Sequence, residues 1–500
     1  MFIQWVTQLG ELVLFVLLVA PAALKPAMPP VIKDHPFNVF WAAPTLFCKD
    51  NFNVNMNLQV FNIIPNPFET QSGSTITVFY PKELGYYPYF SEDGTSFYGG
   101  IPQKVNLSEH LRKSAGDIAD AVTLWRSEGL AVIDWEGWRP QWDRNWGSRM
   151  IYKNHSLAFT RHHHPDWAET KVRTAAQKEF ENAGRSFMNV TLTLALEMRP
   201  KRLWGFYLYP DCYNYDYRIN PEFYTGSCPD DEIFRNDQLM WLWEKSAALY
   251  PSIYLSKILK SNLNALKFVH FRVREALRVA EMARKDYVLP VFIFSRPFYL
   301  QSIEALSEED LVHTIGESAA LGAAGIILWG GYEYSDTKET CLSVRQTVHG
   351  LLGPYVLNVT SAAKLCSQNL CNSHGRCVRK TPESSFYLHM PEDSHKNYVS
   401  KKGFRFVIPS PSKLKHNNEY EEWICVPLLL WLAWRLLQIS LSKSPKEQSS
   451  CKWIEFSSYC WHGLICDSDE LFSYSLLQWQ FFLETTEEKR NYLSLISSIF

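Results

Sequence analysis

The stretch GLAVIDWEGWRP, Gly129 to Pro140, carries the pattern from which the architecture follows. Its apolar run Leu130-Ala131-Val132-Ile133 has the composition of a strand covered on both faces, as in a parallel sheet packed under helices. The run ends in two carboxylates, Asp134 and Glu136, with Trp135 between them. Side chains at i and i+2 of a strand leave the same face, so both carboxyls are expected to point one way at the end of a buried element. A strand end turning into a polar loop would account for an isolated Asp-x-Glu equally well, and the surrounding chain has to decide between the two readings.

Working outward, further runs have the same character: Ile76 to Tyr80, Leu203 to Tyr209, Ser252 to Leu255, Leu289 to Ser295 and Ala324 to Gly330. Helical periodicity fills the intervals. Leu111, Ile118, Val122 and Trp125 share one face, Val172, Ala176, Phe180, Ala183 and Phe187 a second, and Val269, Val273, Ala276, Ala280 and Ala283 a third. Ser307 with Asp310 has the form of a helix-start capping box. Strand and helix alternating in this way predict an α/β fold, either a closed β/α barrel or an open doubly wound sheet. Tyr80, Asp134, Glu136, Tyr207, Tyr254 and Trp329 all fall at or near C-terminal strand ends, which converge on one mouth only in a barrel, and the barrel is the expectation.

Two acids this close in apolar surroundings cannot both ionise at their usual pKa, because desolvation and mutual repulsion push one upward. The expectation assigns the raised, proton-donating role to Glu136 and the charged role to Asp134. Such a pair suits glycosidic bond cleavage, in which the leaving oxygen must be protonated. Trp125, Trp135, Trp138, Trp142 and Trp146 fit either the apolar face of a sugar or an ordinary core.

The 500 residues, 46% of them hydrophobic, suffice for one large domain and a smaller appendage. A formal net charge of −2 gives no global signal for nucleic acid or membrane surface. Leu12 to Ala20, LVLFVLLVA, is too short to span a bilayer and suits the core of a signal peptide over residues 1–25. Eleven cysteines and the sequons at Asn106, Asn154, Asn189 and Asn358 agree with a secretory route. From Cys366 the stretch CSQNLCNSHGRCVRK reads as the first part of a small disulfide-stapled module of epidermal-growth-factor type. Metal ligation is not expected, either there or at His162-His163-His164, since adjacent histidines do not share a face of a helix or strand.

Together with VFYPKELGYYPY ending at Tyr89, GGIPQ from Gly99, LWGFYLYPDCYNYD, NDQLMWLWEKSAALYPSIY and GESAALGAAGIILWG, the chain resembles the animal hyaluronidases from about Phe37 to about Pro391. The resemblance implies a distorted (β/α) barrel over residues 30–362 and an epidermal-growth-factor-like module over 363–426. It implies endo-hydrolysis of hyaluronan, with chondroitin as a second polymer, by a retaining mechanism in which the substrate's own acetamide is the nucleophile. Residue by residue, Glu136 matches the family's acid/base, Asp134 its partner and Tyr254 the group that helps orient the acetamide. Tyr80, Tyr207, Asp211, Arg272 and Trp329 match groove positions, with Arg272 expected to meet the polymer's carboxylates. The implied disulfides are Cys48–Cys341, Cys212–Cys228, Cys366–Cys377 and Cys371–Cys425. A monomer without cofactor, secreted or lysosomal, completes the expectation. A hyaluronan-binding or receptor-like protein with little catalysis is the alternative from a different class.

One segment departs from the family pattern. Where the module should close with C-x-C-Y-x-G-W-x-G-x-x-C, the chain reads CVPLLLWLAWRLLQ from Cys425. A permitted set of codons for this segment, regrouped in another frame, spells C-R-C-Y-F-G-W-R-G-G-S-C. The expectation is a slip of reading frame near Cys425 to Pro427, leaving the module incomplete and residues 427–500 as an aberrant, poorly ordered tail.

Overall fold

Parallel strands, each continued into the loops that carry the site, organise the chain. The computed structural model describes residues 25–389, 395–399, 405–409, 422–428, 452–456 and 461–465, so the signal-peptide expectation and most of the tail expectation lie outside the described residues. One sheet has the order Ile63–Pro65, Asn38–Ala42, Gly325–Trp329, Phe292–Ser295, and a second the order Ile76–Phe79, Gly129–Ile133, Arg202–Phe206; all these pairings are parallel. Parallel bridges through residues 249–252 join the two, pairing Tyr250 with Tyr207, Leu249 with Val291 and Ser252 with Phe294. At the other side, the Asn66 side chain accepts from the Ile76 amide (2.8 Å) and donates to the Ile76 carbonyl (3.2 Å), linking the segment after strand 63–65 to strand 76–79.

Alternation sorts the side chains of each strand into two sets. Phe40, Ile76, Val78, Leu130, Val132, Tyr250, Phe292, Phe294 and Ile327 pack in one inner cluster. Val39, Ala131, Ile133, Trp135, Trp204, Phe206, Ile293 and Ile326 pack in a larger outer one against Phe180, Phe187, Val269 and Val273 of helices Glu169–Met198 and Leu263–Ala283. Fully burying one such side chain contributes about 1.5–3 kcal/mol, so a one-residue slip in register would be very costly. Gly129 starts the central strand at φ +125°, where a Cβ would lie 2.6 Å from the Thr75 carbonyl, so only glycine fits.

The structure revises several boundaries. Strands 38–42 and 63–65 were missed, the first because it emerges from a Pro-rich entry and the second because it is three residues ending in proline. Pairing in the 252–255 candidate falls at 249–252 instead. Strand 129–133 ends one residue before Asp134, which places both acids in the following loop. Trp125 lies beyond helix Leu107–Ala121 and is 52% exposed. Ser307 caps its helix by accepting from the Asp310 amide, but the Asp310 carboxylate accepts from the Ser261 amide and Tyr299, so the box is not reciprocal.

The structure contains the disulfides Cys48–Cys341, Cys212–Cys228, Cys366–Cys377 and Cys371–Cys425. Each of the last two has one cysteine within an antiparallel pair, Gly375–Arg379 with Trp423–Pro427, where Cys377 stands opposite Cys425. Cys366 lies inside helix Gly353–Leu370, so a boundary at residue 362 falls within one continuous element. Arg376 donates to the carbonyls of Pro36 and Gly322, and Arg379 pairs with Glu317, which fastens the stapled segment to the parallel domain. Asn106 caps helix 107–121 through its side chain, while Asn154, Asn189 and Asn358 lie within helices. Residues 432–500 form a separate unit in which Lys452–Phe456 pairs with Trp461–Ile465.

Candidate active site

The alternation that builds the inner cluster also builds the site one step further along each strand. Ile76 and Val78 lead to Tyr80, Leu130 and Val132 to Asp134, Tyr250 and Ser252 to Tyr254, and Ile327 to Trp329. The result is a cavity of about 150 Å³ lined by Val78, Asp134, Glu136, Tyr207, Tyr254, Phe294 and Trp329. Sequence reasoning did not name Val78 or Phe294, although the alternation in their strands marks both.

Aromatic rings wall this cavity. Tyr254 stacks on Trp329 with centroids 6.2 Å apart and planes 25° apart, and Tyr207 lies 6.5 Å from Tyr254 and edge-on to Phe294 at 4.8 Å. The Trp329 indole donates to the Tyr80 hydroxyl at 3.2 Å. Burial pushes the Tyr80 phenol up to about 12 and the phenols of Tyr207 and Tyr254 higher still. All three are therefore neutral hydrogen-bonding groups at any physiological pH. The tryptophans of the central motif do something else: Trp135 and Trp138 are core residues stacked around Tyr87, and Trp146 is 40% exposed against Tyr213.

The two carboxyls occupy unlike environments. Asp134 is the more enclosed one, half-buried, and burial first, with the nearby Glu136 second and partly offset by Arg139, pushes it up to about 8. One Asp134 oxygen, Oδ1, is buried with no hydrogen-bond partner among the described residues. An unpartnered buried oxygen facing a cavity is an acceptor waiting for a donor. The Glu136 carboxyl stands at the opening, with half its side-chain surface exposed. The expectation that gave Asp134 the charged role is thus corrected, because the turn of the loop after Ile133 leaves Asp134 inside, where burial raises it, and brings Glu136 out to the opening.

Arg139, three residues after Glu136, was also missed, although it stands in the same motif. It is 3% exposed, donates to the Glu136 carbonyl at 3.1 Å and stands 4.0 Å from its carboxylate. Arg149 donates to the same carbonyl at 3.2 Å. Asp211 and Arg272 are brought together, but away from the cavity lining. Arg272 is 4% exposed, lies 3.2 Å from the Asp211 carboxylate, donates to Asn214 and the Ser252 carbonyl, and is packed between the rings of Tyr215 and Phe268. This corrects its expected part as a carboxylate-binding base: a guanidinium buried on an internal acid has no surface left for a polymer. It positions the 211–214 loop and the Ser252 backbone next to Tyr254.

Among the described residues no group of three or more His, Cys, Asp or Glu is placed to hold a metal, and no helix is long and apolar enough to cross a membrane. His164 stacks on Trp167, with centroids 3.7 Å apart, and His162 and His163 are exposed on the helix end.

The comparisons with known proteins agree with this geometry. A family model described as Hyaluronidase matches residues 26–432. Hyaluronidase-1 of Cerastes cerastes is 52% identical over 392 residues, covering 78% of this chain and 87% of that protein. Hyaluronidase-1 of Bitis arietans is 51% identical over 382 residues, covering 75% and 85%. Among solved structures, bee venom hyaluronidase in complex with a hyaluronic acid tetramer superposes with a TM-score of 0.58 at 33% identity, covering 64% of this chain and 98% of that one. The matched residues take in the parallel strands, the acid pair and the stapled segment, and the chain accordingly belongs to the hyaluronidase family.

Proposed function

We propose that this protein hydrolyses hyaluronan within the chain, at β-1,4 bonds between N-acetylglucosamine and glucuronate, with retention of configuration. The observation that carries the reading is the acid pair itself: an exposed carboxyl at the opening of a tyrosine-lined cavity, beside a half-buried carboxyl with one oxygen buried and unpartnered. In this reading the acetamide oxygen of the bound sugar attacks the anomeric carbon, the glycosidic C–O bond breaks, and Glu136 transfers its proton to the leaving oxygen. Asp134 accepts the acetamide N–H, which raises the nucleophilicity of the acetamide oxygen, and Tyr254 orients the group. The upward push on Asp134 keeps one proton on the pair through neutral pH. Binding of the N–H stabilises the charge on Asp134, and the proton released there passes to the leaving oxygen through Glu136. Glu136 then deprotonates the water that opens the cyclic intermediate.

The circular order of parallel segments supports a distorted (β/α) barrel, and the two disulfides around strand 375–379 support an epidermal-growth-factor-like module left incomplete. The proposal extends to chondroitin as a slower substrate, a monomer as the working form, and secretion or lysosomal delivery as the destination. The family match ends at residue 432, close to the expected frame slip, and sequencing the transcript across codons 425–427 tests that slip.

The decisive experiment is Glu136→Gln assayed by hyaluronan chain length. Turnover should fall by at least roughly hundredfold to ten-thousandfold while polymer binding persists. Full turnover in that variant removes the assignment, and binding without cleavage by the unaltered protein would favour a receptor-like role.

A further inference from the structure

The polymer of the proposed reaction carries a carboxylate on every disaccharide, and with Arg272 buried that charge lacks an assigned partner. The arginines around the acid pair can be sorted by what already holds them. Arg139 is buried on Glu136 and over the Tyr209 ring. Arg144, 1% exposed, pairs with Glu232 at 2.7 Å and donates to Asn236. Arg272 is held by Asp211, and Arg296 pairs with Glu333 beneath the Trp329 ring. Arg149 differs from all of these. It is half-buried, its Nε donates to the Glu136 carbonyl at 3.2 Å, and it makes no ion pair among the described residues.

A guanidinium tethered by one nitrogen to the backbone of the acid/base, with the rest of its fork uncommitted, is pre-oriented for a bidentate carboxylate. Trp146, three residues earlier in the same loop, is 40% exposed and rests edge-on against Tyr213 at 4.9 Å, which puts an open aromatic surface in the loop that carries this cation. Apolar ring surface together with an uncompensated guanidinium is the chemistry that recognises a uronic acid.

We propose that Arg149 is a specificity-determining residue that binds a glucuronate carboxylate of the substrate near the scissile bond. The inference rests on the hyaluronidase reading. It differs in kind from the role of Arg139, whose fixed contact with Glu136 is present without substrate.

The test compares wild type, Arg149→Ala, Arg149→Gln and Arg149→Lys on native hyaluronan and on hyaluronan whose carboxyls have been reduced to alcohols. On the native polymer Arg149→Ala and Arg149→Gln should raise KM roughly tenfold to hundredfold, as expected for loss of a charge-assisted pair, with Arg149→Lys recovering part of it. On the reduced polymer the wild type should lose the same factor and the variants should lose nothing further. An unchanged KM for both neutral variants on native hyaluronan overturns the proposal. So does a variant defect of equal size on the reduced polymer, since a purely structural role would not distinguish the two. Failure of the wild type to shorten native hyaluronan at all would overturn the proposed function instead, and the carboxylate assignment with it.

Discussion

Replacing Asp134 by asparagine should stabilise the folded protein at neutral pH while disabling it. The folded-state carboxyl sits at about 8 against an ordinary value of 3.8, because burial and Glu136 both disfavour its charge. Between about pH 4 and pH 8 the folded chain therefore holds a proton that the unfolded chain has released. The stability tied to that proton is complete below pH 4 and is lost as pH rises through about 8. At 1.36 kcal/mol per unit, the shift from 3.8 to about 8 sets an upper bound of about 6 kcal/mol on the stability lost. Asparagine keeps the shape and polarity of the side chain without the charge. The measurement is thermal or urea unfolding of both proteins from pH 4 to pH 8.5. The variant's advantage should be near zero at pH 4 and grow steadily toward pH 8.5, while its turnover of hyaluronan collapses. In the wild type, kcat/KM should fall as pH passes about 8 and the Asp134 carboxyl loses its proton. A stability difference that is flat across this range, or one that favours the wild type at high pH, would refute the reasoning.

Other substitutions separate scaffold from chemistry. Arg272→Ala leaves Asp211 buried without its cation and should cost about 3–5 kcal/mol of stability in a urea melt, without changing the salt dependence of KM in the protein that remains folded. Joint replacement of Cys48 and Cys341 by serine opens a crosslink with a sequence separation of 293 residues and should cost about 6 kcal/mol by chain entropy, read as a lowered unfolding midpoint.

Much of the architecture could be read from the chain because it depends on short-range pattern. The run Leu130 to Ile133 is hydrophobic without alternation because both faces of its strand are covered, and helix 263–283 shows its buried face as Val269, Val273, Ala276, Ala280 and Ala283. Tyr80, Asp134, Tyr254 and Trp329 could be singled out because each stands at or near the C-terminal end of an apolar run, where side chains of a parallel fold converge. Short strands escaped this reading. Residues 63–65 contain too few positions for any period to show, and their place is fixed by Asn38–Ala42 alongside them.

What the sequence determined by itself was which side chains share a face, since that follows from backbone geometry over a few residues. What only the tertiary structure decided was their electrostatic condition. Burial and ion pairing depend on groups far apart in the chain: Arg272 on Asp211, Arg144 on Glu232, Arg379 on Glu317. Asp134 became a raised carboxyl through the path of one loop, and Arg272 became internal through an acid sixty-one positions earlier. The energy of a charge is set by its three-dimensional surroundings, whereas the direction of a side chain along a strand is set by its immediate neighbours.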